Sequence, residues 1–410
     1  MQSFLISILT ISFFLLSSIG VFADETTKAK ANKDDAIHGY HAFGFAELSV
    51  ASSLRQHAYK KYSKSLTGAI ALEKAIHNLF NTPSKASMEA ARKAWIKARN
   101  PYLKSEVLRF IFPEIDQWEG KVNAWPIDEG FIDYVALDNK SGQDNPYSTI
   151  NIIANTKPVV NGSTIDASSI TPELIANVLH QYDGIESNVA AGYHAIEFLL
   201  WGQDLAETGA GNRPWTDYSL TDCSNGNCER RRAYLQSLMT LLISDLRFAL
   251  NRWEREGDLT IKLITGDPDR IMGTIIEGIV EFIQAELAGE RMKLALTLHD
   301  PEEEHDCFSD TTHLSHWNNL KGVEKILFSL PNMPNNIRFI DMLPQRELIR
   351  ESYTNARTAV SEIMKSGKAG QPFDQLILEN NKQGNQIVQN AIEKLAILSL
   401  TLTETRSHYK

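Results

Sequence analysis

The sequence predicts an all-α protein: two helical bundles joined through one long irregular segment. Three observations carry this expectation. Apolar residues recur at helical spacing through both halves, each half supplies roughly four such segments, and the regularity lapses mainly between about residues 113 and 183. A chain of 410 residues, 43% hydrophobic and 22% charged, is long enough for two cores. The expected division is an N-terminal domain over 24–183 and a C-terminal domain over 184–410.

Met1 to Ala23 holds no charged side chain and runs apolar as far as Leu16, where Ser17, Ser18 and Gly20 interrupt it. This reads as a secretory signal peptide cut after Ala23, so the mature protein is expected in the periplasm or secreted, and membrane-associated only if the segment stays uncleaved. After a polar leader, helices are expected over 36–62 and 66–80. Ser84 caps a third, with Met88, Ala91, Trp95, Ala98 and Tyr102 as its apolar stripe. Pro101 should kink or break that helix and leave 102–110 separately aimed. From Pro113 to Asp183, Gly, Pro, Asn, Asp and Ser leave only one short helix, over 172–181, and so long an irregular stretch tends to cover a site. Further helices are expected over 229–253, 271–298, 314–327, 345–365 and from 373 to the C-terminus. In the second of these the stripe Ile275, Ile279, Ile283 runs on into Glu286 and Glu290, carboxylates that must be paired or at a site.

The stretch Gly192 to Gly202 sets His194 and Glu197 three apart in an apolar run, so a helix stacks them on one face, with Trp201 a turn further on. A buried imidazole beside a buried carboxylate needs a metal ion, a charged partner or a hydrogen-bond network. Ala195 after His194 and Phe198 after Glu197 rule out the self-contained zinc-protease helix. Iron-holding bundles, however, place Glu and His three apart and complete the site from neighbouring helices. Candidates here are Glu106, Asp116, Asp128, Glu129, Glu290 and His313. Several have a plainer alternative: Glu106 could pair with Arg109, Asp128 and Glu129 could form a solvated turn or helix cap, and the segment 302–313 could be an acidic loop in which Ser309, Asp310 or Thr312 caps the next helix.

Cys223 and Cys228 flank a Gly/Asn turn and are expected to form a disulfide in an exported chain, with Cys307 a small buried residue. The formal net charge of −10 argues against a nucleic-acid partner. No nucleophile elbow, phosphate loop, dinucleotide fingerprint or calcium loop is present.

Several segments together resemble one family. Gly192-Tyr193-His194-Ala195-Ile196-Glu197 resembles the Gly-x-His-x-x-Glu signature of the imelysin-like proteins. The likeness extends to Ala94-Trp95 with Ala98-Arg99, Ser105-Glu106 to Phe110, Val122 to Glu129, Glu286 to Met292, and Glu304 to His313. It implies a helical two-domain envelope protein with the signature helix at the domain interface and a role in bacterial iron uptake; peptidase activity was the family's founding description. The implied site is His194 and Glu197 with Glu106, Arg109, Trp125 and Asp128 from the first half and Ser309, Asp310 and His313 from the second. Asp306 and Thr311 depart from the family's usual Ser and Asn, which leaves the fine shape of that loop open.

The resulting expectation is a periplasmic protein that binds iron or an iron chelate, zinc being the alternative ion, and meets an envelope or outer-membrane uptake partner. His194 and Glu197 would be ligands, Glu106 and Asp128 completing ligands, and Arg109 an orienting residue or an anchor for an anionic chelate. Trp125, Trp201, Ser309, Asp310 and His313 would line the site. Affinity should fall below about pH 6, where imidazole protonates. The rivals are a metallopeptidase with Glu197 as ligand or base, and a metal-free binding module using Arg109, Arg291 and the tryptophans.

Overall fold

The computed structural model describes residues 33–136, 145–205, 209–406 and 408–409, with side chains from 46 onward. The expected signal peptide therefore lies outside the described residues. Residues 43–410 gather into one compact unit. The expected domain division after residue 183 falls inside that unit.

The all-α expectation holds. α1 (Lys33–Asn81) is one helix where two were expected. Across the expected gap the hydroxyl side chains bond back along the helix: Ser65 Oγ donates to the Lys61 carbonyl at 3.0 Å and Thr67 Oγ1 to that of Ser63 at 2.8 Å. Ser84 caps α2 (Lys85–Leu103) through a reciprocal pair with Ser87, and Pro101 is followed within three residues by the helix end. α3 (Val107–Ile111) is the separately aimed piece. α4 (Pro113–Asn123) corrects the expectation of irregular chain there, because Pro113 occupies the first turn, where a missing N–H costs nothing. α5 (Glu129–Ile132), the short antiparallel pair β1 (Val159–Val160) and β2 (Ser163–Thr164), and α6 (Pro172–Leu174) with one π turn to Leu179 punctuate the rest of that segment.

α7 (Gly192–Trp201) carries the His-x-x-Glu pair and packs on α2, α4 and α8 (Cys228–Asn251). α9 (Asp258–Ile264) and α10 (Pro268–Glu281) follow, and α10 continues as a π-helical stretch, Phe282–Leu294, into α11 (Ala295–Leu298). α12 (Thr312–Ser329), α13 (Arg346–Lys368), α14 (Phe373–Ile377) and α15 (Lys382–Arg406) complete the fold; the single last helix expected from 373 is thus two. The π stretch matters for the site. Widening the turn moves inward-facing positions from i+4 to i+5, so Glu290 is exposed while Arg291, at 2% exposure, points inward and bonds Glu286 five residues back.

Cys223 and Cys228 form a disulfide, and Cys307 is buried and free. Among the described residues no helix is long and apolar enough to cross a membrane.

Candidate functional site

All ten residues of α7 are buried, which is why the segment is apolar on every side rather than on one stripe. Its first residue must be glycine on two grounds. Gly192 has φ 90°, and a Cβ there would lie 2.7 Å from the Val122 carbonyl oxygen at the end of α4. That close approach brings His194 against the polar ends of α2 and α4.

The centre of the site is a guanidinium. Arg99 projects from α2 and donates from Nε to Asp306 Oδ1 at 2.6 Å and from Nη1 to Asn123 Oδ1 at 2.6 Å. Its Nη2 faces His194 Nε2 at 3.1 Å and His305 Nδ1 at 3.3 Å. Because a guanidinium only donates, both ring nitrogens must accept, so both imidazoles are neutral. His194 then carries its proton on Nδ1 and donates it to Glu197 Oε2 at 3.1 Å. The other oxygen of Glu197 accepts from the Ser309 backbone N–H at 3.0 Å and the Ser309 hydroxyl at 2.6 Å. Both oxygens accept, the pattern of an ionised carboxylate, although burial and then Asp306 push the Glu197 pKa up. Burial and then Arg99 hold His194 well below the usual imidazole range. Asp306 goes the other way: burial would raise it, but Arg99 and His305 hold it well below the carboxylate range. Ser315 Oγ also donates to Asp306.

Asn123 relays this centre to a second ion-pair group, donating to Glu106 Oε1 and Glu119 Oε1, both at 2.9 Å. Arg291 from the π stretch clamps Glu106 with two bonds, 2.8 and 3.1 Å, and binds Glu286 at 2.6 Å. Burial alone would raise the Glu106 pKa; Arg291 overrides it and holds the carboxyl at about 2. Arg109 closes the group, 3.5 Å from Glu286 and 3.7 Å from Glu119.

The expected site residues are therefore sorted by the fold. His194, Glu197 and Ser309 are brought together. Glu106 is one relay away, and its partner is Arg291 from a distant helix rather than the neighbouring Arg109. Asp128 is engaged elsewhere, accepting from Ser187 Oγ at 2.7 Å and from Asn145. Arg109 meets acidic side chains (Asp116, Glu119 and Glu286), not the imidazoles. Trp125 lies edge-on to His305 with ring centres 5.7 Å apart, at the outer margin of the centre. Trp201 packs on Trp95 and borders a cavity of about 340 Å³ with Tyr134 and Arg213. Asp310 and His313 belong to a different neighbourhood, and none of Ser309, Asp310 or Thr312 caps α12. Its first residue, Thr312, accepts instead from the Asp306 N–H at 2.7 Å.

Arg99, Asn123, His305 and Asp306 were not among the residues expected at the site. Arg99 carried a signal: it lies next to Ala98 and four residues beyond Trp95 on the apolar stripe of α2, where a buried cation demands acceptors.

Residues 58–402 match the family described as imelysin. A curated relative, the iron-regulated protein A of Synechococcus elongatus, is 34% identical over 67 residues, 16% of this chain; the match spans only 19% of that relative's length. Two crystal structures share the fold. One, a protein named as an iron-regulated protein A precursor from Parabacteroides distasonis, superposes with a TM-score of 0.64 at 16% identity over 89% of this chain and 95% of its own. The other, an imelysin-like protein from Psychrobacter arcticum, has a TM-score of 0.52 at 12% identity over 88% of this chain and 94% of its own.

Proposed function

The chain belongs to the imelysin family, and from that premise we propose that it is an exported metal-binding protein of iron acquisition, with iron as cargo and His194 in the ligand set. The observation that supports this reading is a convergence. One ligand atom each from His194, His305 and Asp306 lies within 4.8 Å of the others, and all three residues are buried. Two imidazoles and a carboxylate suit iron, with zinc the competing ion. Behind His194, Glu197 accepts the Nδ1 proton, which leaves Nε2 as the ligand atom and fixes the ring, the arrangement in which a carboxylate orients a metal-binding histidine. Glu197 is thus a positioning residue rather than a ligand, and Glu106 and Asp128 give way to His305 and Asp306.

Charge favours the same reading. Three guanidiniums, Arg99, Arg109 and Arg291, face six carboxyl groups, Glu106, Asp116, Glu119, Glu197, Glu286 and Asp306, so acidic groups outnumber the resident cations. Arg99 holds the ligands in place as a resident cation that an incoming ion must displace. The iron-related names of the relatives agree with this reading, and the apolar stretch Met1 to Ala23 supports export. A centre with His194 at 1% exposure and Glu197 at 0% suits a bare ion better than a chelate. It also gives a peptide bond no path to Glu197, so the peptidase reading gains nothing from the geometry.

Arg99 itself favours one rival, a metal-free network that only locks the helices. Anaerobic calorimetric titration of the protein with ferrous iron separates the two. The iron reading expects one site, lost in His194→Ala and tightened in Arg99→Ala, where the competing cation is gone. Equal binding by wild type and a His194→Ala/His305→Ala variant would overturn the assignment.

A further inference from the structure

The loop between α11 and α12 serves two polar centres at once. His305 and Asp306 turn toward Arg99, but Glu304 beside them turns away, into a second cluster with Asp310 and Asp374. Asp310 follows the turn Cys307–Ser309 in the left-handed conformation, φ 53°, which reverses the chain and sends its side chain to the Glu304 side. Asp374 comes from α14, more than sixty residues later in the chain.

The cluster alone would be unremarkable; its lack of compensation is the telling feature. Glu304 is 1% exposed, and neither of its oxygens has a hydrogen-bond partner. Asp374, 3% exposed, leaves Oδ1 unpaired, and Asp310, 8% exposed, leaves its Oδ1 unpaired. Among the described residues none of the three is within ion-pair distance of an Arg or Lys. The contrast with the Arg99 centre, where each carboxylate has a guanidinium or several donors, is sharp. Two further facts show how poorly the trio tolerates itself. Burial and then Asp374 push Asp310 up to about 8, and Asp310 shares a hydrogen bond with Asp204, which requires a proton on one of those two carboxyls. Buried carboxylates with no counter-charge cost several kcal/mol each unless they take up protons, so a fold that assembles these three from two separate segments calls for a cation.

We propose that Glu304, Asp310 and Asp374 form a second metal site, for a hard divalent cation of the calcium class, that fastens the 304–312 loop to α14. The ligand atoms lie within 4.8 Å of one another, close enough that small side-chain adjustments bring all three to the calcium–oxygen distance of roughly 2.4 Å. An all-carboxylate set selects a hard, oxygen-preferring ion over zinc or copper, in contrast to the imidazole-bearing set at Arg99. Calcium completes its shell with water and tolerates irregular angles; magnesium demands an octahedron. Because the same loop presents His305, Asp306 and Ser309 to the first centre, the ion has a structural task there: it orders the segment on which the His194 centre depends.

The test uses the full mature protein, stripped with a chelator, and reads thermal unfolding with calcium, magnesium and zinc chlorides added singly at 1 mM. Calcium is expected to raise the midpoint by roughly 5 °C, magnesium less, and zinc least. Glu304→Gln/Asp374→Asn is expected to abolish the calcium shift. Without any ion it should melt no lower than stripped wild type, because it removes carboxyls that have no counter-charge and gain nothing from their burial. His194→Ala is expected to keep the full calcium shift, which separates this site from the iron reading. Absence of a calcium shift in wild type, or an equal shift in wild type and the Glu304→Gln/Asp374→Asn variant, would overturn the proposal.

Discussion

Arg99→Met is the most informative single perturbation of the buried centre. Methionine nearly preserves the volume of the side chain but removes donors to four acceptors: Asp306 Oδ1, Asn123 Oδ1, His194 Nε2 and His305 Nδ1. The dominant loss is electrostatic. Asp306 is 0% exposed and would keep only Ser315 and a neutral imidazole as neighbours, so a buried charge goes uncompensated, which costs about 3–5 kcal/mol. For a chain of this size that is a fall in melting temperature of roughly 5–8 °C. Urea unfolding of wild type, Arg99→Met, Asp306→Asn and the double variant completes a cycle. Removing both charges together should cost less than the sum of the single losses by about 2 kcal/mol or more. Arg99→Lys should recover only part of the stability, because an ammonium cannot reach four acceptors spread around a planar fork. An Arg99→Met protein within about 1 kcal/mol of wild type, or strictly additive losses, would refute the argument that this ion pair anchors the centre.

Other consequences can be checked alongside. Gly192→Ala must relieve both a positive φ and a 2.7 Å contact with the Val122 carbonyl, so a loss of about 2 kcal/mol or more is expected in denaturant melts, together with weakened iron binding as α7 shifts. Asp133→Ala strips Arg213 and Arg231 of their shared buried carboxylate, bonded at 2.7 and 2.6 Å, and should destabilise by about 3–5 kcal/mol, with Asp133→Asn milder. Burial, with Lys61, Lys325 and Lys60 adding to it, holds His57 down to about 3, below its value of 6.5 in the unfolded chain. Its contribution to stability is therefore whole above pH 6.5 and is lost as the pH falls toward 3, by up to about 1.4 kcal/mol per pH unit. His57→Leu should match wild type at pH 7 and exceed it by about 2 kcal/mol at pH 5; parallel acid limbs for the two proteins would contradict this. Glu106, held at about 2 against an ordinary 4.5, has the same dependence in a lower window. Its stabilisation of about 3 kcal/mol is present above pH 4.5 and disappears between 4.5 and 2, and Glu106→Gln should flatten that part of the acid-unfolding curve.

Local signals in the chain were sufficient for several features that depend on neighbours in sequence. Helical periodicity located most of the long helices of the second half, Ser84 announced the start of α2, and the pairing of Cys223 with Cys228 needed only a short turn between them. His194 with Glu197 was legible because three residues of helix bring the two side chains together whatever else the protein does. Errors arose where a local signal had two readings. Pro113 opens the stretch read as irregular, and it begins α4 instead. The π stretch also could not be read from spacing, since an α-helical count places Glu290 inward where the wider turn places Arg291.

The sequence alone determined that a buried imidazole and carboxylate would share one helix face and would need compensation, because helix geometry and the cost of desolvation are local facts. Tertiary structure decided what compensates them. Arg99 is 95 residues from His194 and 207 from Asp306, and Glu304 is 70 residues from Asp374. No periodicity encodes such encounters. They are set by which helix ends the packing of large side chains brings to one point, and only there does it become visible that one group of acids is matched by guanidiniums while another is left without a counter-charge.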